Sequence, residues 1–150
     1  MSRRLMMLNG PNLNLLGARE PELYGRTTLD ALEADMTARA AEAGAELLCV
    51  QSNHEGTLID ALHDARQSCD GVILNPAGYG HTSVALRDAL IACERPAVEV
   101  HLSNIARREP FRHKTLTADV AIGTISGFGV LGYRLALQAL LAHLDALGEH

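Results

Sequence analysis

The stretch Gly71–Asp88, GVILNPAGYGHTSVALRD, decides the architecture. It opens on an apolar run, Val72-Ile73-Leu74, and breaks at Asn75-Pro76. It then winds through glycines and a tyrosine and restarts at His81-Thr82-Ser83. A short apolar run closed by turn residues reads as a strand buried on both faces, as in a parallel sheet. The polar residues begin where that strand ends. In open α/β sheets, ligands bind beyond the carboxyl ends of the strands, beside the point where strand order reverses. A central position for this strand therefore brings Asn75 and His81 to such a crevice. Two other apolar runs end alike, at Leu8-Asn9 and at Glu99-Val100-His101. Three strands that deliver polar groups at one end are the main functional clue.

Outward from that stretch, strand and helix alternate. Arg4 to Leu8 is expected as the first strand. The loop Asn9 to Gly25, NGPNLNLLGAREPELYG, follows. Loops this long are usually lids or disordered segments, and Leu13, Leu15, Leu16 and Tyr24 argue against disorder. Thr27-Thr28-Leu29-Asp30 carries the signals of a capped helix start. Leu29, Leu32, Met36, Ala40 and Ala43 form its stripe, and Gly44 ends it. Ala45 to Val50 is strand two, and Leu58, Leu62 and Ala65 mark a second helix. The central strand leads into a helix over 83–93, with Ala85, Leu86, Ala89, Leu90 and Cys93 as its core face. Val84, Asp88 and Ile91 lie opposite. Apolar residues flanking an acid on an outward face call for a cover, and another subunit is the simplest one. Ala97 to His101 is strand four, Leu102 to Thr117 a polar loop, and Val120 to Gly123 strand five. Phe128 to Leu147 is a final amphipathic helix. Five alternations predict a doubly wound α/β fold with right-handed crossovers. In the flavodoxin-like order 2-1-3-4-5, strands one, three and four stand together at the centre.

The chain of 150 residues suits one domain spanning 1–150. A formal charge of −5 argues against general nucleic-acid binding but leaves room for a local arginine cluster. The apolar run Leu5 to Leu8 is too short for a signal peptide, and no run is long enough to span a membrane. Cys49, Cys69 and Cys93 are odd in number and lack CxxC spacing. They fit buried small hydrophobes in a reduced, cytoplasmic protein.

Several motifs divide between chemistry and packing. Gly127-Phe128-Gly129-Val130-Leu131-Gly132 matches GxGxxG, which raises a flavodoxin-like nucleotide or flavin binder as the alternative reading. It follows the last strand, with no second strand to complete a βαβ unit, so close helix–sheet packing is preferred. No P-loop occurs, and no His, Cys, Asp or Glu spacing makes a metal site; His54-Glu55 and His63 do not form HExxH. Ser83 sits where a helix N-cap belongs. Glu99 and His101 are two apart on a strand and so share a face. A carboxylate beside an imidazole fixes its tautomer and favours its charged form, which suits a general acid. Arg19 and Tyr24 are neighbours in the lid-like loop. Spacing alone leaves two readings open: a phenol activated by a cation, or a packing tyrosine beside a solvated arginine. Arg107, Arg108 and Arg112 suit a substrate carboxylate or a developing enolate, or form a solvated basic loop.

Taken together, LNGPNLNLLGAREPELYG, QSNHEGTLIDAL, NPAGYGHTSVALRDAL, EVHLSNI, REPFRHK and GFGVLGYRLAL resemble, in order, the motifs of the type II 3-dehydroquinate dehydratases. The resemblance runs along nearly the whole chain. It implies that Tyr24 is the base removing the C2 proton of 3-dehydroquinate and that Arg19 activates it. Asn12 helps to hold the enolate through water. His101 is the acid for the departing C1 hydroxyl, with Glu99 orienting it. By the same resemblance Asn75 contacts substrate near the reacting carbons, and Leu102 and Ser103 offer backbone amides to its carboxylate. His81 and Arg112 meet ring hydroxyls, and Arg108 is a second arginine near the tyrosine. Asp88 is supplied by a neighbouring subunit of a homododecamer built as four trimers. No cofactor or metal is implied, and the only lysine, Lys114, has no apolar run around it. The chain departs from the family at Gly80, where threonine is common, and at Ala106, Pro110 and Lys114-Thr115-Leu116-Thr117.

Overall fold

The computed structural model describes residues 2–148. Five parallel strands form one sheet: β1 (Arg3–Asn9), β2 (Ala45–Gln51), β3 (Gly71–Asn75), β4 (Ala97–His101) and β5 (Gly123–Ser126). Their order is β2-β1-β3-β4-β5, as the alternation predicts. The helices are α1 (Pro21–Tyr24), α2 (Leu29–Glu42), α3 (Glu55–Ser68), α4 (Val84–Cys93) and α5 (Leu131–Gly148).

Strand periodicity sorts the core into two layers. Leu5, Met7 and Ile73 face Met36 of α2 and Leu137 and Leu140 of α5. Met6, Leu8, Val72 and Leu74 face Leu58 and Leu62 of α3 and Leu86 and Leu90 of α4. Consecutive apolar residues in β1 and β3 thus serve opposite faces, as a sheet covered on both sides requires. Side-chain caps set two helix starts. Thr28 Oγ1 accepts from Ala31 N at 3.2 Å. Ser83 Oγ accepts from Leu86 N at 2.8 Å and donates to the Glu55 carboxylate. Ser83 is therefore a cap. No helix among the described residues is long and apolar enough to cross a membrane.

Four expectations need correction. Strand five is Gly123–Ser126, not Val120–Gly123; Ala118–Val120 is a 3-10 turn. The last helix begins at Leu131, because Gly127 and Gly129 take φ of 98° and 60° and hold Phe128 in an exposed loop. Ala85 is exposed, leaving Leu86, Ala89, Leu90 and Cys93 as the core face of α4. In the long loop Leu13 and Leu16 are buried, but Leu15 is exposed. That loop is not structureless: a 3-10 turn over Leu13–Leu15 and α1 lie within it. The late glycine motif packs helix on sheet: a Cβ at Gly132 would meet Val100 Cγ1 at 3.3 Å.

Candidate active site

A cleft of ≈ 140 Å³ opens beyond the carboxyl ends of β1, β3 and β4. The chain turns one way from β1 to β2 and the other way from β3 to β4, so this is where strand order reverses. The exits of β1 and β3 lie against each other. Asn9 and Asn75 are register partners, and Gly10 N donates to Asn75 O at 2.8 Å. A Cβ at Gly10 would stand 2.5 Å from Pro76 O, so only glycine permits that approach. Just beyond, Asn12 takes φ of 71°, and its N–H donates to Asn53 Oδ1 at 2.9 Å.

Most residues singled out in the sequence line this cleft. Asn12, Arg19 and Tyr24 come from the β1 loop, Asn75 and His81 from the β3 exit, and His101, Leu102 and Ser103 from the β4 exit. Arg108 and Arg112 follow from the next loop. The lining carries three arginines and no carboxylate, so a chain of net charge −5 presents a cationic cleft. An anionic ligand suits it.

On one wall stands Tyr24, half-buried at the end of α1. Arg108 Nη1 donates to its hydroxyl oxygen at 2.7 Å and to Ser103 Oγ at 3.3 Å. Both guanidinium carbons also lie over the ring, that of Arg19 5.1 Å and that of Arg108 5.4 Å from the centroid. Of the two, Arg108 makes the hydrogen bond to the hydroxyl, while Arg19 meets only the ring. The Arg108 N–H points where negative charge would stand in a phenolate.

On the other wall, His101 Nε2 and Glu99 Oε2 are 2.8 Å apart. With Nε2 engaged by the carboxylate, Nδ1 is the ring nitrogen left for the cleft that His101 lines. Glu99 is 1 % exposed and lies behind the imidazole, outside the lining. Burial pushes its carboxyl up. Hydrogen bonds from His101, Thr115 and Thr117 outweigh that and hold it below the ordinary glutamate range. The His81 ring lies 6.2 Å from that of His101. Its Nδ1 is 2.9 Å from the Lys114 carbonyl, which can only accept, so Nδ1 donates there and Nε2 is the ring nitrogen left unengaged.

The floor is polar and buried. Asn75 Oδ1 accepts from Ala77 N at 3.0 Å, and Asn75 Nδ2 donates to Tyr133 Oη at 2.9 Å. Tyr133 Oη donates in turn to Asn9 Oδ1 at 2.7 Å. Tyr133 is fully buried, and desolvation raises its phenol above the ordinary value. The sequence marks Asn9 only as the polar end of the first strand and gives Tyr133, within its last helix, no role at the site. The shared signal was available: Asn9 ends β1 as Asn75 ends β3.

Two expected groups stand apart. Asp88 is exposed on the outward face of α4, beside Val84 at 60 % and Ile91 at 50 %, away from this cleft. Arg107 is exposed and lines a neighbouring surface groove instead. Desolvation raises the Cys49 and Cys93 thiols, in keeping with packing roles. Gly80, a departure noted above, sits where a Cβ would meet Pro76 Cγ at 2.7 Å.

Comparisons with known proteins bear on the chain as a whole. The family described as Dehydroquinase class II matches residues 3–141. A 3-dehydroquinate dehydratase of Prochlorococcus marinus (strain MIT 9313) is 56% identical over 141 residues, covering 94% of this chain and 95% of that one. One from Chelativorans sp. (strain BNC1) is 57% identical over 145 residues, covering 96% and 100%. Among solved structures, the type II dehydroquinase of Butyrivibrio crossotus DSM 2876 superposes with a TM-score of 0.91 at 40% identity. It covers 93% of this chain and 97% of that one.

Proposed function

From the premise that this chain belongs to the dehydroquinase class II family and is a hydro-lyase, a type II 3-dehydroquinate dehydratase, we propose that it eliminates water in two steps through an enolate. Tyr24, as phenolate, takes the C2 proton α to the ketone, and the electron pair moves onto the carbonyl oxygen. His101, as imidazolium, then gives the Nδ1 proton to the C1 hydroxyl. The C1–O bond breaks, water leaves, and the carbonyl reforms as the conjugated enone, 3-dehydroshikimate. Tyr24 has gained the proton that His101 has lost, and exchange with water resets both. Opposite tasks need groups held in opposite protonation states. The observation that carries this reading is the pairing of each group. A guanidinium N–H meets the Tyr24 oxygen and a buried carboxylate meets the His101 ring, and both Tyr24 and His101 line one cleft.

The cationic lining supports binding of the substrate carboxylate and stabilisation of the enolate oxygen. Asn12 and Arg19 stand on the base side. His81 and Arg112 suit the ring hydroxyls, Asn75 the reacting carbons, and Leu102 and Ser103 the carboxylate. The bare apolar rim around Asp88 supports a subunit interface there, with Asp88 reaching a neighbour's cleft; the homododecamer of four trimers rests on the family resemblance. Three unpaired cysteines support a cytoplasmic setting, and the relatives' name, 3-dehydroquinate dehydratase, supports a place in the shikimate pathway.

The test follows enone absorbance after adding 3-dehydroquinate to wild type, Tyr24→Phe and His101→Ala. Loss of a general acid or base lowers kcat by about 10²–10⁴-fold. Full activity in either variant refutes the role given to that residue. Mixing Asp88→Ala with Tyr24→Phe chains tests the shared site. Activity regained in mixed oligomers supports it, and none regained under confirmed subunit exchange refutes it.

A further inference from the structure

We propose that Thr115 and Thr117 are positioning residues for His101. In this assignment their hydroxyls keep Glu99 a carboxylate turned onto the imidazole, so that the ring meets the substrate as imidazolium. The inference rests on the reading of His101 as the acid.

Glu99 is almost without solvent, yet its two oxygens receive three donors. Thr117 Oγ1 donates to Oε1, Thr115 Oγ1 donates to Oε2 at 2.6 Å, and His101 Nε2 meets Oε2 at 2.8 Å. Thr117 is fully buried and neither threonine lines the cleft, so neither touches substrate. The direction of the Thr115 hydroxyl is set locally. Its oxygen accepts from Ala118 N at 3.1 Å, which leaves its proton for Glu99. The segment between them is pinned on both sides. Leu116 N donates to Gly80 O at 2.7 Å, and Arg87 Nη1 donates to Leu116 O at 2.7 Å.

The chemistry turns on where one proton sits. The Glu99–His101 pair can hold it as carboxylate plus imidazolium, or as carboxylic acid plus neutral imidazole. The two forms have the same atoms and charge. The imidazolium N–H is a far stronger acid than the N–H of a neutral ring, so only the first form protonates a leaving hydroxyl well. Burial favours the second form, because an unsupported carboxylate is costly away from water. Two hydroxyl donors on the carboxylate favour the first.

The experiment compares Thr117→Val, Thr117→Ser, Thr115→Val and Thr115→Ser with wild type and His101→Ala. It reads kcat, KM and the ¹⁵N signals of the His101 ring in histidine-labelled protein. Removing a hydrogen bond to a charged group should lower kcat about 10–100-fold in each folded valine variant. KM should stay within about threefold, because the substrate contacts remain. The serine variants keep the donor and should hold kcat near wild type. The ring nitrogens should move from imidazolium toward neutral values in the valine variants only. If Thr117→Val fails to fold, the Thr115 pair decides. Valine variants with wild-type kcat and ring signals overturn the inference, as do serine variants as slow as their valine partners. A slow His101→Ala beside fast valine variants sinks this inference alone; a fast His101→Ala sinks the acid reading as well.

Discussion

Replacing Arg108 by Met keeps the length of the side-chain stem and removes the cation and its donors. The structure sets the size of the effect. The bond from Nη1 to Tyr24 Oη is 2.7 Å, and the side chain is 15 % exposed, so water screens it poorly. Its ion pair with Glu109 is long, at 3.8 Å, and the glutamate is half exposed, so losing it matters little. A hydrogen bond to a charged group contributes about 1.5–3 kcal/mol. If that bond stabilises the phenolate, kcat should fall about 10–150-fold. Arg108→Lys keeps the charge without the planar fork and should fall between. Arg108→Ala leaves space, and added guanidinium at non-denaturing concentration should restore part of its rate. The assay is enone absorbance at saturating substrate, with circular dichroism to confirm folding. A folded Arg108→Met enzyme with kcat within about twofold of wild type refutes the claim that this contact activates Tyr24.

Three further outcomes follow from the packing and titration. Gly10→Ala pushes a Cβ to 2.5 Å from the Pro76 carbonyl, which is backbone and yields poorly. A loss of about 1–3 kcal/mol is expected in urea unfolding at fixed protein concentration, and an unchanged midpoint contradicts the close approach. Glu99 titrates below the ordinary glutamate range in the folded state. The stability it contributes is therefore complete above the unfolded value near 4.3, and is lost as pH falls through the lowered one. Urea curves of wild type and Glu99→Gln should converge as pH drops through that window; a constant gap counts against it. Tyr133 is shifted the other way, so its contribution holds below the unfolded value of about 10 and declines as pH rises past it. In an ultraviolet titration its phenolate should emerge only with alkaline unfolding, and an early, reversible signal from Tyr133 disproves the burial.

The central strands were legible because their burial is written twice over. Val72-Ile73-Leu74 is apolar at every position, which only a strand covered on both faces needs. The edge strand was not. Gly123-Thr124-Ile125-Ser126 has one large apolar residue and is exposed or half-buried throughout, while Val120-Ala121-Ile122 is more apolar but turns. Hydropathy ranks the turn above the strand; what makes the strand is its pairing with β4. Glu99 and His101 could be read from a spacing of two. The Arg108–Tyr24 contact spans 84 residues, and the threonines meet Glu99 from 16 and 18 residues away. Such contacts leave no period in a sequence, so folding alone reveals which arginine holds the phenol and what steadies the carboxylate.

The pin beneath the cleft joins residues 124 apart, Asn9 in the first strand and Tyr133 in the last helix. On the ribosome, β1 and β3 are made long before α5 arrives to cap them. Until then two amides meant for a dry interior stay wet, and the apolar side awaiting Leu137 and Leu140 lies bare. Catalytic competence therefore comes last in biosynthesis, and a chain halted before residue 131 should be inert and quickly digested by protease. A protease-resistant, active truncation would show that the late helix is dispensable to the floor.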